Sequence, residues 1–256
     1  MNGVNIFMSE NVIKISYLEG GIAIIAMEDR ESKNTFSKRL IDELNQAFVK
    51  INNDITLKVV IIHGFDNYFC CGGTKDELLQ LTEGNITFAD FGFYRLLLDC
   101  PLPVIAAIQG HAIGAGFAFG TSADIIIMAE ESFYCTNFMK YGFTPGFGAT
   151  YFMPKKLGIN IANNMLYSAQ NYQGMQLKEL GVPIPFVKRN RVIHEAIELA
   201  KEIINKSRDS IVALKHQLTQ IDQLLLPQFI NKEIEMHKIT FRLPEVKTKI
   251  IELLGK

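Results

Sequence analysis

Residues 101–150 constrain this chain more than any other stretch: PLPVIAAIQGHAIGAGFAFGTSADIIIMAEESFYCTNFMKYGFTPGFGAT. Residues 103–108 form a short apolar run rich in β-branched side chains, which predicts a buried strand. It leads into Gly110, His111, Ala112, Ile113, Gly114, Ala115 and Gly116, and then into small and apolar residues as far as Ala123. A strand that turns through small residues into a helix leaves the first N–H groups of that helix without intrahelical partners. Glycine and alanine let another molecule come close to them. Such a junction suits an anion, or an oxygen that becomes anionic during a reaction. A Gly/Ala run serves equally well where a helix packs tightly on a sheet, and residue type alone leaves both readings open. A second junction shifts the balance. Residues 59–63 are strand-like, and Phe69-Cys70-Cys71-Gly72-Gly73-Thr74-Lys75 follows them, ahead of a helical pattern. Two such junctions can aim two N–H groups at one oxygen.

The rest of the chain alternates strand with helix, which predicts α/β architecture. Residues 12–17 and 21–27 read as a hairpin turning at Glu19-Gly20-Gly21. Leu40, Ile41, Leu44, Phe48 and Ile51 recur at helical spacing. A helix from about residue 76 ends near Gly84, residues 124–128 form another buried strand, and residues 161–169 and 175–180 are helical. After Arg191 only helices are expected: 192–205, 211–226, a third that Pro227 begins and that runs to about 241, and 245–254. We therefore expect a core over residues 1–190 and a helical region over 191–256.

A chain of 256 residues with 48% hydrophobic and 21% charged residues has the composition of a folded globular protein. Its net charge of −1 provides no global field for nucleic acid, although a local basic patch for a phosphate-bearing ligand stays open. The four cysteines, Cys70, Cys71, Cys100 and Cys135, show no CxxC spacing and no accompanying histidine cluster, so no metal is expected. A Cys70–Cys71 disulfide would be strained, and all four read as reduced, small apolar residues of a cytoplasmic protein. Residues 1–16 lack the basic start and apolar core of a signal peptide. No apolar run nears the ~20 residues needed to cross a bilayer.

With these motifs in hand, the chain resembles the crotonase (enoyl-CoA hydratase/isomerase) superfamily over nearly its whole length. The matching features are FCCGG, PLPVIAAIQGHAIGAG, ADIIIMAEE, and FMKYGFTPGFGAT followed by KKLG, all in the family's order. The resemblance implies a ββα spiral core with C-terminal helices that build a homotrimer. It implies an oxyanion hole for a thioester enolate, formed by the backbone N–H groups of Cys71 and Ala115, with Gly72 and Gly114 beside it. Lys33-Asn34-Thr35-Phe36 would border the coenzyme A groove. Residues such as Phe88 and Phe93 either line the acyl pocket or belong to the core.

The chain also departs from that family's hydratases. The two glutamates that handle water there correspond to Ala118 and Phe138 here, and neither side chain can carry a proton. Both are instead expected to form an apolar wall against the substrate. Glu130 and Glu131 close a strand and are expected in solvent. Two candidates for chemistry remain. Lys75 stands beside the first oxyanion-hole element, at a helix start where the dipole disfavours it. It is either a carboxylate partner or a surface lysine. His237, in KEIEMHK, can exchange a proton near neutral pH, or is a core or surface histidine. His111 is expected to order its loop, while Tyr68, Tyr134 and Tyr141 read as pocket residues with no assignable task.

The likeness is strongest to the decarboxylating members of polyketide β-branching cassettes, in which a lysine and a C-terminal histidine are the proposed pair. It implies decarboxylation of a 3-methylglutaconyl group held as a phosphopantetheine thioester on an acyl carrier protein, with no cofactor, since the thioester is itself the electron sink. An enoyl-CoA isomerase and a non-catalytic carrier-protein-binding subunit are the alternatives.

Overall fold

The computed structural model describes residues 11–254, so most of the segment read as lacking a signal peptide lies outside the described residues. Two sheets organise the chain. The larger has strand order β1 (Ile13–Leu18), β2 (Ile22–Met27), β3 (Val59–His63), β5 (Val104–Ile108), β7 (Ile125–Ala129) and β10 (Phe186–Val187). The smaller has order β4 (Tyr68–Cys70), β6 (His111–Ile113), β8 (Phe133–Cys135) and β9 (Tyr172–Gln173). β1 and β2 form the expected antiparallel hairpin, with Ile13 opposite Met27. From β2 to β10 every neighbouring pair in the larger sheet is parallel, and Ile61 lies between Ile24 and Ile105. A parallel sheet must be covered on both faces, which is why these strands are continuous apolar runs.

Ten α-helices and three short 3₁₀ turns complete the described chain, the α-helices being α1 (Lys38–Asn52), α2 (Lys75–Glu83), α3 (Leu96–Asp99), α4 (Ala115–Thr121), α5 (Ala149–Leu157), α6 (Ile159–Ser168), α7 (Gly174–Glu179), α8 (Arg189–Ile204), α9 (Arg208–Thr240) and α10 (Pro244–Leu253). α1 starts where Ser37 accepts a bond from the Leu40 N–H, and it buries Leu40, Ile41, Leu44, Phe48 and Ile51, the residues that predict it. α8 lays Val192, Ala196 and Ala200 on Ile22, Ile24, Val59, Ile61 and Ile105, covering one face of the larger sheet. The expected division after residue 190 therefore falls inside a helix that belongs to the core.

The break expected at Pro227 is absent, and α9 runs unbroken through it. Proline forfeits one helical hydrogen bond and clashes with the preceding turn, at a cost of about 3 kcal/mol. Leu226 and Ile230 are buried on either side of it, and each such burial is worth roughly 1.5–3 kcal/mol. The same face continues to Glu233 and His237, also buried. One rigid rod thus carries His237 from the outer helices into the core.

Candidate functional site

Both strand-to-helix junctions form as expected, and they meet. β4 ends at Cys70, Cys71 follows, and α2 begins at Lys75. β6 ends at Ile113 and α4 begins at Ala115, after Gly114 at φ 57°. The first bonds of α4 run from the Phe117 and Ala118 N–H groups to the Gly114 carbonyl, so the Ala115 N–H precedes them. Gly72, at φ 82°, rests against this helix start. A methyl group on it would stand 2.8 Å from the Ile113 carbonyl oxygen and 3.4 Å from the Ala115 nitrogen. Only glycine permits both the backbone conformation and the approach.

Cys71, Gly72, Gly114 and Ala115 all open onto one cavity. Phe138 lines it too, as do Phe36, Phe88, Phe93, Phe143 and Phe147. The walls are thus mainly aromatic, and a charge in such a place is under pressure to disappear.

His237 lines the same cavity, although 122 residues separate it from Ala115 in the chain. Phe88, Phe143 and Phe241 surround its ring edge-on, with centroids 5.3, 6.2 and 4.8 Å away. Its Nε2 lies 2.8 Å from the Thr144 carbonyl oxygen, which can only accept, so Nε2 carries the hydrogen and Nδ1 is the basic nitrogen. Burial lowers the imidazole to about 4, against the opposing bonds to the Thr144 and Pro145 carbonyls. Unliganded, His237 is neutral at pH 7.

Two expected site residues are elsewhere. Lys75 does not line the cavity. Its side chain is exposed, and its Nζ donates to the Ile251 carbonyl at 2.9 Å. The cause is electrostatic: Lys75 sits at the positive end of α2, and Ile251 lies in the last turn of α10, where carbonyls lack partners and attract cations. Ala118 is completely buried and outside the lining. A single methyl group is short, and the rings of Phe36, Phe93 and Phe147 form the wall instead.

Three further polar residues line the cavity: Glu77 and Asn137, which the sequence does not single out, and Tyr141, which it places in a pocket without a task. Glu77 accepts from the Thr74 N–H while the Thr74 hydroxyl accepts from the Glu77 N–H; this is a capping box, and the spacing Thr-x-x-Glu signals it. Burial raises the Glu77 carboxyl, and the bonds from Thr74 oppose that. Asn137 and Tyr141 also line the cavity, one on each side of Phe138 in a 3₁₀ turn. Burial raises the Tyr141 phenol.

The remaining candidates serve the structure. His111 Nδ1 accepts from the Phe133 N–H at 3.0 Å, fastening β6 to β8 as expected of a loop-ordering residue. Tyr134 is buried and bonded to the Ile108 and Ala129 backbone. Glu130 is not solvated but paired with Lys178 and Lys188. All four cysteines are unpaired, and burial raises the Cys71 thiol to about 11. Among the described residues no group of three or more His, Cys, Asp or Glu side chains is placed to hold a metal ion, and no helix is long and apolar enough to cross a membrane.

Known proteins resemble this chain over nearly its whole length. Residues 18–254 match the enoyl-CoA hydratase/isomerase family. The chain is 46% identical to the bacillaene synthase decarboxylase PksI of Bacillus subtilis (strain 168), over 97% of this chain and 100% of that protein. A solved structure from a dehydratase/decarboxylase enzyme couple involved in polyketide β-branching superposes with a TM-score of 0.94 at 46% identity, covering 96% of this chain and 100% of the other. The ECH2 decarboxylase domain of CurF from Lyngbya majuscula gives 0.90 at 38% identity, covering 94% and 98%.

Proposed function

The chain belongs to the enoyl-CoA hydratase/isomerase family, and within it we propose that this protein is a decarboxylase of polyketide β-branching. Its substrate is a 3-methylglutaconyl thioester on the phosphopantetheine arm of an acyl carrier protein, and its product is the 3-methylcrotonyl thioester. The observation that carries this reading is that His237 lines the same aromatic cavity as Cys71 and Ala115, with Phe138 where a hydratase holds a glutamate.

The carboxyl carbon leaves as CO2. The electron pair of the broken C–C bond moves through the double bond onto the thioester oxygen, giving a dienolate. The Cys71 and Ala115 N–H groups stabilise that oxygen, and one such donor is worth roughly 3 kcal/mol of barrier. Charge then returns to the γ-carbon, which takes a proton from His237. Neutral His237 has no proton to give in this way, so it must first gain one. The substrate's own carboxylate favours that gain, because an anion placed nearby raises an imidazole. The proton arrives at Nδ1, with Nε2 remaining on Thr144.

Lys75 takes part by leaving the Ile251 carbonyl for the substrate carboxylate, since two opposite full charges attract each other more strongly than an ammonium and a neutral carbonyl do. The apolar residues that α9 leaves exposed, Leu214, Leu218, Ile221 and Leu224, support assembly, which we take to be a homotrimer. The unpaired cysteines support a cytoplasmic setting. A second reading, enoyl-CoA isomerase, draws on Glu77, a cavity carboxyl that could carry a second proton. Intact-mass spectrometry of 3-methylglutaconyl carrier protein incubated with the enzyme decides between them. Loss of CO2 supports decarboxylation. An unchanged carrier mass, beside an active reference decarboxylase, defeats it.

A further inference from the structure

The structure assigns Glu233 as the positioning residue of this site: bonded to the start of α5, it fixes the loop whose Thr144 carbonyl holds His237. This deepens the proposed function and rests on His237 being the proton carrier. Glu233 is fully buried on α9, one turn before His237 and on the same face. One carboxylate oxygen accepts from the Gly148 N–H at 2.8 Å. The other accepts from the Thr150 N–H at 2.9 Å and the Thr150 hydroxyl at 2.5 Å. Gly148 and Thr150 begin α5, where N–H groups lack intrahelical partners and the helix dipole favours negative charge. Among the described residues Glu233 forms no ion pair, so the two backbone N–H groups and the Thr150 hydroxyl are what hold it.

A single helix face therefore grips both ends of one short loop. His237 holds Thr144, and Glu233 holds Gly148 and Thr150. Between these points the backbone is strained: Phe147 has φ 67°, unusual for a bulky residue, while lining the cavity and stacking on Phe36 at 5.3 Å. Such a conformation persists only when its surroundings hold it. Without the Glu233 grip the far end of the loop is free to relax, and with it the carbonyl that keeps the proton of His237 on Nε2.

Glu233→Gln tests this with little change of shape. The amide NH2 must face one of the two backbone donors, so one N–H loses its acceptor. The expected result is a loss of about 10- to 100-fold in kcat, the scale of a misplaced catalytic group, with KM changed less than about twofold. The His237 titration, followed by NMR from its starting point of about 4, should also move. Val192→Ala, a cavity variant under α8 and far along the chain, serves as the stability control. A purely structural Glu233 predicts that both variants lose kcat only as far as they lose folded protein. That outcome, or wild-type kcat with an unmoved His237 titration in Glu233→Gln, overturns the assignment. If Glu233→Gln does not fold, Thr150→Val removes one of the three bonds: a fall in kcat with a shifted His237 titration supports the assignment, and neither change overturns it. A wild-type enzyme that releases no CO2 defeats the proposed function, and the NMR measurement, which needs no turnover, still decides the role of Glu233.

Discussion

A methyl group built on Gly146 would stand 2.5 Å from Cε1 and 3.0 Å from Nε2 of His237. Gly146 does not have the positive φ that favours glycine, so the contact alone forbids a side chain there. Gly146→Ala must therefore push the imidazole away from the Thr144 carbonyl. We expect decarboxylation to fall about 100-fold, as for misplacement of a catalytic group by ~1 Å. Overpacking should cost about 1–3 kcal/mol of stability. Steady-state kinetics together with urea unfolding check both; wild-type turnover in the variant would place the working histidine elsewhere.

Lys75 presents a sharper choice. Its bond to Ile251 is at the surface, so Lys75→Ala should leave the melting temperature nearly unchanged. If the ammonium moves to the substrate carboxylate, the variant should lose about 10- to 100-fold in kcat/KM, the value of one hydrogen bond to a charged group. Unchanged turnover would leave Lys75 as a cap on α10 and nothing more.

What the sequence shows and what it hides separate along physical lines. The six-stranded sheet and α1 are legible because apolar runs and helical spacing are local patterns, as in Val59–His63 and in Leu40, Leu44 and Phe48. The two strand-to-helix junctions are legible because an apolar run, small residues and a helical pattern follow one another along the chain, although residue type alone leaves their role open. β4, β6, β8 and β9 are only two or three residues long, too short to show a period. Pro227 misleads because tertiary burial outweighs a local rule. That Lys75 rests on the Ile251 carbonyl outside the cavity is not legible, because sequence gives the start of a side chain and not its direction. Glu233 was invisible as a partner of Thr150, since 83 residues separate them.

Burial drives Glu233 and His237 in opposite directions, and stability should record it. Glu233 is raised to about 7 from an unfolded value near 4.5, so its contribution is complete below 4.5 and is lost as pH rises through 7. His237 is lowered to about 4 from near 6.5, so its contribution is complete above 6.5 and is lost as pH falls through 4. Each spans roughly 3 kcal/mol, and between pH 4.5 and 6.5 the two slopes cancel. His237→Gln should therefore expose a stability that falls as pH rises through this window, and Glu233→Gln one that rises. Urea unfolding across the window, compared with wild type, reads the difference directly. Matching slopes in all three proteins would show that neither group is perturbed by folding.

The most direct test of the proposed oxyanion hole replaces one backbone N–H with a ring methylene. Ala115 is the first residue of α4, the one helical position where proline fits without breaking a hydrogen bond. Its predecessor Gly114, at φ 57° and ψ −124°, lies outside the α region that a following proline disfavours. Ala115→Pro should therefore fold with stability within about 1 kcal/mol of wild type, because proline at this position costs little. It lacks the N–H that the proposed mechanism directs at the thioester oxygen, and turnover should fall about 10²- to 10³-fold, the cost of losing one oxyanion-hole donor. Ala115→Gly keeps that N–H and should stay within about tenfold of wild type, since glycine at a helix start costs only local backbone entropy. Single-turnover decarboxylation isolates the chemical step from carrier-protein release. Equal rates in the proline and glycine variants would show that the developing charge rests on some other group.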